Sequence, residues 1–171
     1  MMERGVRAVR LVPRPTAMVH MTSSHTFRSA LEAERPLQIA GVINAYAALL
    51  AERAGFRALY VSGAGVSNAS FGLPDLGFTT REQVAEEVRR IGAATPLPVL
   101  VDVDTGWDDP AETARVMLAA GAGAIQMEDQ VDLKRCGHRP NKKLVSPDEM
   151  VERVRAAVKG RADSGLLIMA R

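Results

Sequence analysis

Five short apolar runs, separated by stretches of helical character, constrain the fold of this chain more than any other feature. The runs are 37–43, 58–62, 98–102, 124–128 and 166–170. None alternates apolar with polar residues, so each reads as a strand buried on both faces. Between them, Ala45–Ala54 is rich in alanine and leucine and meets Gly55, a helix with its C-terminal stop. Thr80 caps a helix to about Ala94, Pro110 opens one that ends at Gly121, and Pro147 opens another to about Lys159. Ahead of the first strand, Ser24 or Thr26 caps a helix through Phe27, Leu31 and Ala33 that Arg35-Pro36 stops. Residues 63–77 read as a glycine-containing loop and 129–145 as a long polar one. Strands and helices in strict alternation mean a parallel α/β sheet covered by helices.

Two architectures fit that order: an open doubly wound sheet, or the first part, about five strands, of a (β/α)8 TIM-type barrel. Polar residues gather where strands end, at Ser62, Asp102, Glu128 and Arg171. Both architectures place their chemistry there, so the gathering does not choose between them. No glycine-rich phosphate loop follows the first strand, which argues against a nucleotide site. A complete barrel takes about 250 residues, and this chain has 171.

Charge and composition narrow the function classes. Residues 1–21 hold Arg4, Arg7, Arg10 and Arg14 against Glu3, a balance of +3, while the whole chain carries +2. The remainder is therefore at −1, and the basic character belongs to residues 1–23, an extension ahead of the 24–171 domain, not to a nucleic-acid-binding face. Aromatics at 4% leave little for base stacking, and no apolar run nears the roughly 18 residues of a membrane span. Neither nucleic acid nor membrane is expected as a partner. A single cysteine points to a reducing compartment. The arginine-rich start reads as a mitochondrial transit peptide or as an extension ahead of a start at Met18 or Met21. It lacks serine and an amphipathic arginine pattern, which favours the second reading and a cytoplasmic protein over a matrix one.

Two stretches carry chemistry. In Val101-Asp102-Val103-Asp104 the two carboxylates share one side of the strand end, where they repel unless a cation lies between them. Oxygen donors without nearby His or Cys suit a hard ion such as Mg²⁺, with Asp75 and Glu128 as further oxygens; caps for loops and helices are the alternative. Cys136 sits among Lys134, Arg135, His138 and Arg139. Cationic surroundings favour the thiolate and mark a reactive thiol, although the cluster also reads as a solvated loop.

The run from Lys134 to Lys142 resembles the catalytic loop of 2-methylisocitrate lyases, in the isocitrate lyase/phosphoenolpyruvate mutase superfamily. Asn44-Ala45-Tyr46, Tyr60-Val61-Ser62-Gly63, the segment Gly72–Gly77, Glu128-Asp129-Gln130 and Met169-Ala170-Arg171 support the likeness, which runs from about Phe27 to Arg171. It implies a Mg²⁺-dependent carbon–carbon lyase cleaving 2-methylisocitrate, a small tricarboxylate, to pyruvate and succinate in propionate catabolism. Isocitrate lyase activity, or an inactive remnant, is the alternative. The resemblance further implies that Asp102 and Asp75 hold the metal, with Asp104 and Glu128 nearby and acting through water. Ser62, Gly63, Ala64, Gly137, His138 and Arg171 would bind substrate, Cys136 would be the general acid, and Tyr60 is a candidate base that needs help from the metal. Gln126 stands where several relatives carry His. Family members continue beyond Met-Ala-Arg and assemble as homotetramers, so the chain is expected to be an N-terminal part of such an enzyme or a truncated product.

Overall fold

A computed structural model of the chain describes residues 23–131, 136 and 140–171. The N-terminal extension read from the sequence lies outside the described residues, except for Ser23 at the start of α1 (Ser23–Ala33). Then come β1 (Ile39–Val42), α2 (Ala45–Arg53), β2 (Ala58–Val61), α3 (Gly63–Phe71) and α4 (Arg81–Ala94). They are followed by β3 (Val99–Asp102), α5 (Pro110–Ala120), β4 (Ala124–Met127), α6 (Pro147–Arg161) and β5 (Leu167–Ala170). All strand pairs are parallel, and the spatial order is β1-β2-β3-β4-β5. A doubly wound sheet reverses its winding at a switch point, whereas a barrel wall adds each strand beside the last. The order settles the choice: these strands are the first part of a (β/α)8 barrel wall.

The residues on the strands divide into two faces. Val42, Leu59, Val61, Val99, Val101, Ile125 and Leu166 pack against helical residues that include Ala48, Val84, Val88, Ile91, Met117 and Ala157. This is the main core, between sheet and helices. On the other face, Ala58, Leu100 and Ala124 pack with Phe27 of α1, with Tyr60 and Leu167 alongside. Helix α1 thus closes the N-terminal end of the barrel's inner face.

Helix ends follow local chemistry. Thr80 and Gln83 form a reciprocal capping box on α4, the Asp109 carboxylate accepts from Ala111 and Glu112 N–H on α5, and Ser146 caps α6. One expectation fails. The stretch 63–77 is not all loop, because its first nine residues form α3. Gly63, Gly65, Ser67 and Asn68 are weak helix formers, so the sequence reads as loop. Local caps and packing override that weakness. The Ser62 hydroxyl accepts from Gly65 N–H at 3.1 Å, Val66 and Ser67 are buried, and Gly72 closes the helix in the left-handed region at φ 64°.

Candidate active site

Two residues of sequence advance a strand by one layer on the same face, and on this barrel the inner face changes character as it rises. Gly41, Tyr60, Leu100, Ala124 and Leu167 stand in register in one row. One step higher, Asp102, Gln126 and Met169 stand in register. Beyond the strand ends come Asp104, Glu128 and Arg171. The C-terminal end of the inner face is therefore polar and the N-terminal end apolar, which is the layering a barrel enzyme uses.

Asp102 and Asp104 are buried, at 7% and 9% exposure. The Asp102 carboxylate accepts the Asp104 N–H at 3.1 Å, while Asp104 turns into the left-handed region at φ 50°. Both carboxylates face Gly63 at the first turn of α3. A Cβ on Gly63 would lie 3.2 Å from Asp102 Oδ2 and 3.6 Å from Asp104 Oδ1. The missing side chain leaves a cradle between a helix N-terminus and two acids. Two neighbouring carboxylates are the oxygen donors that a hard divalent cation takes while keeping part of its water shell. Among the described residues, no three His, Cys, Asp or Glu side chains converge as a ready-made cage.

Ser62, Gly63 and Ala64 begin α3, whose first N–H groups have no acceptor within the helix, a setting that receives an anion. Glu128, at 4% exposure, is compensated from three sides. The Arg171 guanidinium donates to its Oε1 at 2.9 Å, Gln130 Nε2 donates to its Oε2, and Lys142 Nζ stands 3.8 Å away. A buried carboxylate needs such partners, because taking a charge out of water is costly unless it is paired. Tyr60 donates to Gln126 Oε1 at 3.3 Å. Burial, then the charge of Asp102, which competes with Gln126 for the same hydroxyl proton, hold the Tyr60 proton on far above the ordinary tyrosine range, with Arg171 opposing. An unaided phenolate is therefore strongly disfavoured at this position.

Cys136 is half-buried and lines a cavity of about 230 Å³ with Asn68, Pro74, Asp75 and Leu76. Asp75 thus shares its pocket with the thiol. On either side of Cys136 in sequence the chain is paired as a stem, in which Val131 N–H donates to Lys143 O and Val145 N–H to Asp129 O. Lys142 ties the stem to Glu128 and Asp129. Gly137 and His138 lie outside the described residues. Sequence reasoning assigned no role to Gln130 or Lys142. Period-two spacing from Gln126 through Glu128 marks Gln130, whereas nothing local marks Lys142, which reaches Glu128 only because the stem closes.

Fold and site together define a barrel protein with buried acids and a helix start at the C-terminal ends of its strands, and a half-buried thiol in a cavity beside Asp75. The family model described as phosphoenolpyruvate phosphomutase matches residues 27–171, and the chain belongs to that family. It is similar to a 2-methylisocitrate lyase of Shewanella oneidensis, with 56% identity over 148 residues, covering 85% of this chain and 51% of the relative. Among solved structures, an oxaloacetate acetylhydrolase in complex with 3,3-difluorooxalacetate superposes with a TM-score of 0.82 at 32% identity, over 88% of this chain and 53% of that one. A phosphonopyruvate hydrolase in complex with oxalate and Mg²⁺ superposes with a TM-score of 0.74 at 30% identity, over 88% and 52%. The chain spans about half the length of the curated relatives it matches.

Proposed function

We propose that these residues form the metal- and thiol-bearing half of a Mg²⁺-dependent carbon–carbon lyase acting on 2-methylisocitrate. The observation that carries the reading is the cradle at Gly63, where two buried carboxylates and a helix N-terminus meet. The 56% identity to a 2-methylisocitrate lyase supports this substrate over those of the more distant family members. A Mg²⁺ ion held by Asp102, with Asp75, Asp104 and Glu128 as the further oxygens, would supply an electrophile that stabilises charge on the 2-oxo acid half.

The chain's own residues supply the rest. The first N–H groups of α3, at Gly63 and Ala64, would receive one substrate carboxylate, and the half-exposed Arg171 guanidinium, paired with Glu128 through one nitrogen, would receive another. Cleavage begins when the substrate hydroxyl loses its proton. As the carbonyl forms, the adjacent carbon–carbon bond breaks and its electron pair passes to the succinate carbon. Cys136 then gives that carbon its sulfhydryl proton, as general acid. Tyr60 stands at the site with its own proton held on, by burial first and by the Asp102 charge second, so it would act as the base only with help from a cation beside Asp102. The protein is further proposed to be cytoplasmic, in keeping with its single cysteine; among the described residues no helix is long and apolar enough to cross a membrane.

The test uses a completed barrel, made by joining residues 27–171 to the remaining half of the Shewanella oneidensis relative. It should release pyruvate from 2-methylisocitrate, and Cys136→Ser should still bind substrate while losing most turnover, because a hydroxyl is a far weaker acid than a thiol. Cleavage by the serine variant at the parent rate would remove Cys136 from the acid's role.

A further inference from the structure

Gln126 is 5% exposed, and its Nε2 is buried without a hydrogen-bond partner. Buried amide groups of this kind nearly always find one. Its neighbours limit what that partner is. The residue lies on β4 in register with Asp102 and Met169, among the side chains of the inner face. Its Oε1 accepts the Tyr60 hydroxyl, so that contact turns the carbonyl end toward Tyr60 and leaves the NH₂ end to a different group. An NH₂ group can only donate. Met169, on the neighbouring strand, offers no strong acceptor, and no acceptor of the protein lies within hydrogen-bond reach of Nε2.

We propose that Gln126 is a ligand-contacting residue, whose Nε2 donates to a carboxylate or carbonyl oxygen of a small 2-oxo or 2-hydroxy acid bound beside Asp102. The inference rests on the Mg²⁺-lyase reading, since an anion settles among Asp102, Asp104 and Glu128 only with a cation to offset them. Glutamine adds a specific property here. Its amide does not titrate, so the donor is present at every pH, where an imidazole would alternate between donor and acceptor.

The experiment is calorimetric titration of the full 171-residue chain, first with Mg²⁺ alone and then with oxalate in saturating Mg²⁺. Gln126→Met keeps the side chain's length and removes both polar ends. It should leave Mg²⁺ affinity within about twofold and weaken oxalate at least about tenfold, the loss of one hydrogen bond to a charged acceptor. Gln126→Glu, nearly isosteric, should weaken oxalate further while strengthening Mg²⁺, and it decides the matter if the methionine variant fails to fold. Unchanged oxalate affinity in Gln126→Met or Gln126→Glu overturns the proposal, as does a parent chain that binds Mg²⁺ but no oxalate. A parent chain that binds no Mg²⁺ removes the lyase reading itself, and this inference with it.

Discussion

At Gly63 a hydrogen atom stands where any other residue would push a methyl or larger group between Asp102 and Asp104. Alanine there would favour the helix, yet its Cβ would crowd Asp102 Oδ2 at 3.2 Å, so the carboxylate would have to shift. Gly63→Ala should leave the melting temperature within about 3 °C and weaken Mg²⁺ at least about tenfold by calorimetry. Unchanged Mg²⁺ affinity would show that the cradle is not where the ion sits. One feature at this scale was readable from the chain: the Asp102 and Asp104 spacing marks a shared face, and both carboxylates do meet Gly63. Less readable were contacts made through space, such as Tyr60 with Gln126 across 66 positions and Lys142 with Glu128 through the loop stem. No local pattern encodes a pairing that only the closed sheet and stem create.

Helices α5 and α6 pack closely enough for Gly160 to meet the backbone of its neighbour. A Cβ on Gly160 would lie 2.1 Å from Ala111 O and 2.6 Å from Ala111 Cα. Backbone cannot move aside as a side-chain tip can, so the clash outweighs alanine's better helix propensity. Gly160→Ala should lower stability by about 1–3 kcal/mol in urea unfolding. Gly92, in α4, has nothing within 4 Å of the added carbon, and Gly92→Ala should instead raise stability by about 0.5–1 kcal/mol. A Gly160→Ala chain as stable as its parent would mean that the two helices are not in this contact. The same residue shows how element boundaries escape the sequence. A glycine near a helix end reads as a stop, whereas here α6 continues to Arg161 and Gly160 serves a close approach. The loss of α3 to a loop reading has the parallel cause, since a cap and burial outweigh poor intrinsic propensity. The five strands were legible to within two residues at each end because a buried run bounded by turn residues has few alternatives.

Strand order belongs to the whole molecule and is absent from any local pattern; only the pairing β1-β2-β3-β4-β5 separates a barrel wall from a doubly wound sheet. That wall pairs β1 and β5 on one side each. Beside these edges Tyr46, Leu49 and Leu50 of α2, and Val151 and Val158 of α6, expose apolar surface that an eight-stranded barrel would cover. The 171-residue chain by itself should accordingly release no pyruvate from 2-methylisocitrate above background, because loops beyond β5 complete a barrel site. Turnover by that chain at ordinary enzymic rates would show that five strands suffice.

The central claim is that Asp102 holds the cation on which cleavage depends, and pyruvate release across a Mg²⁺ titration in the completed barrel tests it most directly. The parent should release pyruvate in proportion to Mg²⁺ occupancy. Asp102→Ala should release none at any Mg²⁺ concentration while keeping its fold by circular dichroism, since removing a direct anionic ligand leaves Asp104 and the substrate oxygens without their shared ion. Parent-level turnover by Asp102→Ala at low Mg²⁺ would contradict the account, and the paired acids would then be structural.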